Sequence, residues 1–133
     1  MDAETPFTVA GLDHLLLLVN DMETAIAFYQ GVIGCRVTSR LPQYGMAELS
    51  AGASNIALVD WTVSEGSWAK PANDGGRNID HFCLSLGTGE EAALRAHLSR
   101  HGVAVIEEQV EDERLSLYVQ DPSGNTVELR LPA

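Results

Sequence analysis

The sequence predicts an α+β fold: two βαβββ modules whose strands form a curved eight-stranded mixed sheet, with the helices on its outer face. Two observations carry this expectation. Strand-length apolar runs and amphipathic helical stretches follow one another in the order strand, helix, strand, strand, strand, and the order occurs twice. Short strings also return along the chain: Asp13-His14-Leu15 as Asp80-His81-Phe82, Ile33-Gly34-Cys35 as His101-Gly102-Val103, and Ile56-Ala57-Leu58 as Val127-Glu128-Leu129. The offset drifts from 67 to 71 residues between the first string and the last, as a duplication followed by loop insertions would leave it.

Taken in order, residues 12–19 are apolar apart from one histidine and read as a buried strand. Asn20 and Glu23 stand at capping-box spacing. Met22, Ile26, Phe28-Tyr29 and Val32-Ile33 then recur with helical period, and Gly34 is the expected stop. Strands are expected over 35–41, 45–50 and 54–61, punctuated by Pro42, Gly45 and Ala51-Gly52. Residues 62–79 are rich in turn formers and read as a linker loop. In the second unit, 80–86 is a strand and 90–101 a helix closed by Gly102. Strands follow over 103–110, 114–120 and 126–131, the last two joined by Asp121-Pro122-Ser123-Gly124-Asn125. The whole is one domain, with module one over about 11–61 and module two over about 80–131.

The chain has 133 residues, 45% hydrophobic and 20% charged, an ordinary composition that excludes a disordered chain, a coiled coil and a collagen-like repeat. No apolar run approaches the ~20 residues of a membrane helix. Met1-Asp2-Ala3-Glu4 lacks the basic, apolar start of a signal peptide, and two cysteines, Cys35 and Cys83, make no disulfide framework. A cytoplasmic location is therefore expected. Eight Lys plus Arg against 19 Asp plus Glu leave a net charge of −11. Such a surface repels phosphate backbones and anionic lipid, so nucleic acid and membranes are not expected partners.

Strand alternation places chemistry on one face. His14 shares a face with Leu12, Leu16 and Leu18; His81 with Cys83 and Ser85; Glu128 with Thr126 and Arg130. The apolar alternates Val127, Leu129 and Leu131 should meet the helices. If a pseudo-twofold relates the units, the two histidines become neighbours, and Glu128 joins them provided that each unit's last strand lies beside the first strand of the other. Two imidazoles and one carboxylate make a set suited to one divalent ion, Fe, Mn, Ni, Co or Zn, with positions left open for substrate. The repeat maps Glu128 back onto Ala57, which cannot coordinate, so three protein ligands are expected. Set against this, a lone histidine in an apolar strand is ordinarily a packed core residue, and Glu128 could instead pair with Arg130 or Arg36. Tyr118, Ser116 and Gln120 share a strand face and precede Glu128 by a turn, so they either line the cavity or are ordinary outward-facing residues. Trp61, Trp68 and Tyr44 could roof the pocket, with core packing the favoured expectation; Cys83 reads as a small core thiol, and the facing of Glu48 stays open.

These strings resemble a known family. Gly11-Leu12-Asp13-His14, Asn20-Asp21 through Phe28-Tyr29, and Ile33-Gly34-Cys35 look like the first module of the vicinal oxygen chelate superfamily. Asp80-His81-Phe82 and residues 118–129 look like its second module. That superfamily holds glyoxalase I, fosfomycin resistance proteins, extradiol dioxygenases and bleomycin resistance proteins. The resemblance implies a divalent metal on His14, His81 and Glu128 that chelates two oxygens of a small substrate, in dioxygenase-like or lyase- and isomerase-like chemistry. It implies Tyr118, ten residues before the glutamate as in extradiol dioxygenases, as an acid/base or orienting group. Ala57 departs from the four-ligand glyoxalase I pattern, and Leu16 from the threonine of the fosfomycin enzymes. A homodimer is expected from exposed sheet edges and from similar proteins. The alternative is a non-catalytic resistance protein of the bleomycin-binding type, which holds a cationic drug in an acidic groove.

Overall fold

Two four-stranded sheets carry the molecule, in the strand orders β1-β4-β3-β2 and β5-β8-β7-β6. The first comprises β1 (Leu15–Val19), β2 (Arg36–Leu41), β3 (Met46–Ala51) and β4 (Ser54–Asp60). The second comprises β5 (Phe82–Ser85), β6 (Glu107–Glu111), β7 (Arg114–Gln120) and β8 (Thr126–Arg130). The computed structural model describes residue 10 and residues 12–72 and 79–132. Gly11 and the middle of the linker loop, both part of the sequence reading, lie outside the described residues.

The expected α+β class and the two βαβββ units are present, with the eight strands divided between two sheets. The expected strand neighbours are corrected. Each unit's last strand lies beside its own first strand: β4 runs parallel to β1 with Leu15 opposite Ile56, and β8 parallel to β5 with Phe82 opposite Val127. The reason is local. The antiparallel partners β2-β3-β4 and β6-β7-β8 form as meanders. The free edge of the third strand then takes the first strand of the same unit across a helical crossover, as parallel pairing requires.

The first helix also differs from its expected form. α1 (Met22–Ala27) is capped by Asp21, whose side chain accepts from the Thr24 N–H at 3.1 Å, and not by Asn20. It runs on as a π-helical segment, Phe28–Ile33, that ends at left-handed Gly34 (φ 92°). The wider π turn puts neighbouring aromatic residues inward together, so that both Phe28 and Tyr29 are buried. α2 (Glu91–Arg100) buries Leu98 in the apolar core.

One apolar core joins both units. Leu17, Val19, Leu49 and Leu58 from the first sheet belong to the same cluster as Leu117, Val119, Val127 and Leu129 from the second. A polar staple crosses it. The Tyr29 hydroxyl, fully buried, donates to Asp121 Oδ2 at 2.8 Å. Asp121 Oδ1 accepts the N–H groups of Ser123 and Asn125, each at 2.8 Å. The Asn125 amide donates to the Leu18 carbonyl at 3.0 Å, and the Asn20 N–H to Ser123 Oγ at 3.0 Å. Asn20, expected as a helix cap, is spent on this contact between modules.

Trp61, Trp68 and Tyr44 are corrected from core to surface, at 37%, 52% and 54% exposed. Trp68 instead caps the turn after β2, where its indole N–H donates to the Tyr44 carbonyl at 3.0 Å.

Candidate metal centre

The second sheet has one apolar face, which meets the core, and one polar face. Register defines the polar face in rows. Cys83, Glu128, Tyr118 and Glu107 lie side by side across the four strands, and Ser85, Arg130, Ser116 and Gln109 make the next row. Glu128 is 8% exposed although charged, which is costly unless partners surround it.

Partners do surround it. His81 stands just before β5, and its Nε2 lies 3.1 Å from Glu128 Oε1. Its other nitrogen, Nδ1, is 2.8 Å from Asp80 Oδ2. Tyr118 meets the His81 ring edge to face, with centroids 5.3 Å apart. Burial opposes ionisation of Glu128, but the hydroxyls of Ser116 and Tyr118 and the His81 imidazole outweigh it and hold the carboxyl below its ordinary pKa. Asp80 raises the pKa of His81, with burial opposing and Glu128 assisting. Burial first, then the Glu128 charge, pushes the Tyr118 hydroxyl up to about 12, so the phenol stays protonated at neutral pH and acts as a donor. Glu128 pairs with neither Arg130 nor Arg36 among the described residues, against that alternative. Cys83, read as a core thiol, is exposed on the polar face.

His14 repeats half of this arrangement. It precedes β1 as His81 precedes β5, and its Nδ1 lies 2.8 Å from Asp13 Oδ1. In both Asp-His pairs the carboxylate engages Nδ1 and so fixes the ring, as an outer carboxylate orients a histidine; Nε2 of His81 is turned to Glu128. His14 lines a cavity of about 210 Å³ in module one, with Thr38, Glu48, Asn55 and Ala57 around it. The facing of Glu48 is thereby settled: it lies opposite Ala57 in the β3–β4 register, on the His14 side. His81 lines a different cavity of about 470 Å³, which it shares with Leu16, Leu18, Trp61 and Asn125.

The expected meeting of His14, His81 and Glu128 is therefore corrected for one chain. Among the described residues no three His, Cys, Asp or Glu side chains gather to hold an ion. The own-module pairing of β8 explains this, because it carries Glu128 to His81 and leaves His14 with the other sheet. His81 Nε2 and Glu128 Oε1 stand 3.1 Å apart, the spacing of a charge-assisted hydrogen bond, and imidazole and carboxylate are both ligand types that divalent ions take.

Sequence reasoning missed two groups, one in the core staple and one on the polar face. Asp121 is a buried carboxylate, hidden in a string that reads as an ordinary turn. Arg114 occupies the polar face at the start of β7; strand alternation from Tyr118 back through Ser116 would have found it.

Comparison with known proteins agrees with this architecture. A family model described as Glyoxalase/Bleomycin resistance protein/Dioxygenase superfamily matches residues 11–129. A metallothiol transferase FosB from Lysinibacillus sphaericus is 28% identical over 127 residues, covering 91% of this chain and 82% of that protein. A lactoylglutathione lyase from Salmonella typhimurium is 28% identical over 122 residues, covering 87% and 88%. Among solved structures, a lactoylglutathione lyase from Agrobacterium tumefaciens superposes with a TM-score of 0.72 at 23% identity, covering 96% of each chain. The fosfomycin resistance protein FosX from Mesorhizobium loti superposes with 0.69 at 15% identity, covering 95% of each. At these identities the superpositions speak for the fold.

Proposed function

The chain belongs to the Glyoxalase/Bleomycin resistance protein/Dioxygenase superfamily, and from that premise we propose that it is an enzyme that uses one divalent metal ion to chelate a small oxygenated substrate. The observation that carries the reading is the donor pair His81 Nε2 and Glu128 Oε1 at 3.1 Å, with the histidine braced from behind by Asp80. Fe, Mn, Ni, Co and Zn all suit imidazole and carboxylate donors. Such an ion, when bound, supplies Lewis-acid polarisation of the substrate's oxygens.

The protein's own groups have defined tasks in this reading. Asp80 and Asp13 hold the tautomer and aim of the two histidines. Ser116 keeps Glu128 ionised, as an anionic ligand must be. Tyr118, with its proton retained, orients Glu128 and walls the site beside His81; the raised phenol pKa supports an orienting role over that of a base. The third ligand, His14, comes from a second copy of the chain, which we propose as a homodimer in which module one of each protomer faces module two of its partner. A relative named metallothiol transferase and one named lactoylglutathione lyase stand at equal identity. The proposal is accordingly the chelating class and not either reaction.

Calorimetric titration of chelator-treated protein tests the reading. One divalent ion per chain is expected, and Glu128→Gln should weaken its binding at least about tenfold, since a carboxylate ligand is lost outright. Failure of all five ions to bind would overturn it. A cationic drug bound equally well by wild type and His14→Ala, with no ion present, would support the non-catalytic alternative.

A further inference from the structure

The polar face of module two carries a second feature that the ion does not use. The chain has eight Lys and Arg and a net charge of −11; among the described residues, two of them stand on this face beside the candidate metal centre. Arg130 follows Glu128 by two residues on β8, and Arg114 starts β7. Each guanidinium is tied to the backbone. Arg130 reaches across β7, and its Nη2 donates to the Glu111 carbonyl at 3.1 Å. Arg114 reaches back toward the end of β8, and its Nε donates to the Leu131 carbonyl at 3.0 Å. These bonds aim two cations at one end of the sheet face. Neither makes an ion pair with a carboxylate among the described residues, whereas Arg40 and Arg95 are paired with Glu23, Glu91 and Glu108. Arg130 Nε is also sealed from solvent without any acceptor, the one buried side-chain polar atom in that state among the described residues. Ser85 and Ser116 flank Arg130 in register on either side.

We propose that Arg114 and Arg130, with Ser85, form an oxyanion subsite, so that the substrate carries an anionic group about 7 Å, two residues along a strand, from the oxygens chelated near Glu128. Half-buried guanidinium groups without a counter-charge, one with an unspent donor, need an exogenous acceptor. The substrate class is then a small organic acid with a chelating oxygen pair at one end and a carboxylate, phosphate or phosphonate at the other. The placement of the chelating end rests on the proposed function; the oxyanion subsite itself does not.

Two measurements test this and separate the two readings. Inorganic phosphate is titrated into chelator-treated protein at low ionic strength, followed by amide chemical shifts. Saturable binding is expected, weakened at least about tenfold in Arg114→Gln and in Arg130→Gln. Should Arg130→Gln fail to fold, Arg130→Lys, which keeps the charge but loses the fork, takes its place with Arg114→Gln. Absence of saturable binding, or unchanged binding in Arg114→Gln, overturns the subsite. Metal-loaded protein is then titrated with 2-hydroxyglutarate and with 2-hydroxypentanoate, which share the chelating end and differ in the distal carboxylate. A preference of about tenfold for the diacid, lost in Arg114→Gln, supports the substrate class, and equal affinity overturns it. Phosphate binding with no binding of either hydroxy acid upholds the subsite and overturns the chelating reading.

Discussion

Glu128 shows how much a single position can decide. A carboxylate 8% exposed on a sheet would ordinarily be a fault in the fold, yet here two hydroxyls and an imidazole face it and its pKa lies below the usual value. Its neighbour in register, Cys83, feels the opposite effect. Although exposed at its edge, the Cys83 thiol sits in a partly desolvated spot, and this, and then the Glu128 charge, push it above its ordinary pKa. At pH 7.5 less of it is thiolate than in free cysteine, and the thiolate is the nucleophile. Metal-free protein should therefore alkylate with iodoacetamide at Cys83 at least about threefold more slowly than free cysteine, and faster in Glu128→Gln, with buried Cys35 unreacted. Peptide mass spectrometry over a time course measures this. A rate matching free cysteine would mean that the two side chains do not face each other. The two histidines were legible from sequence because their Asp-His string occurs twice. Arg114 was not singled out, because one arginine at a strand's start resembles any solvated charge until its neighbours in register are known.

At the scale of elements, turns and short contacts decide more than periodicity does. Strand β7 matches the expected 114–120, where alternation is clean and turn residues bound both ends. Strand β6 begins at Glu107 and not at 103, because the chain after α2 first folds back on the helix, with the Val103 N–H donating to the Leu98 carbonyl at 2.8 Å. The helix cap could not be chosen by spacing, since Asn20 to Glu23 and Asp21 to Thr24 are both three residues apart; a bond to Ser123, 103 positions away, claims Asn20. A tighter constraint holds the turn over 64–66 against β3 and β4. A Cβ on Gly45 would stand 2.7 Å from the Gly66 backbone, and one on Gly66 would collide with the Asp60 carbonyl oxygen. Gly66→Ala should cost about 3 kcal/mol, since backbone must move to admit the methyl group. Gly31→Ala, within the π segment and with open space around its Cβ, should be neutral or stabilise by up to about 0.5 kcal/mol. Urea denaturation of both variants checks the contrast, and equal midpoints would show that the close approach is not real.

For the whole molecule, the donors are divided: His14 lies in one unit, and His81 with Glu128 in the other. The duplication, the order of elements and the polar face were all readable from the chain, because they are local or repeated. The division into two sheets was not, because parallel pairing of β1 with β4 or with the other unit's last strand buries the same alternating residues. With His14 on one sheet and His81 and Glu128 on the other, a proposed homodimer makes a sharp prediction. Neither His14→Ala nor Glu128→Gln alone should bind an ion tightly. Mixed, unfolded and refolded together, they should regain one tight site in each heterodimer, the one with both a native His14 and a native Glu128. Calorimetry of the mixture reads this directly; no recovery would dismiss the shared centre.

The turn at 121–125 is held by Tyr29 and in turn holds the Leu18 carbonyl, so the duplicated halves share a fastening that neither owns. A substitution in one half is accordingly felt by the other, and the halves are no longer interchangeable copies. Cutting the gene at the linker would separate Tyr29 from Asp121, leaving a buried phenol in one fragment and a buried carboxylate in the other, each without its mate.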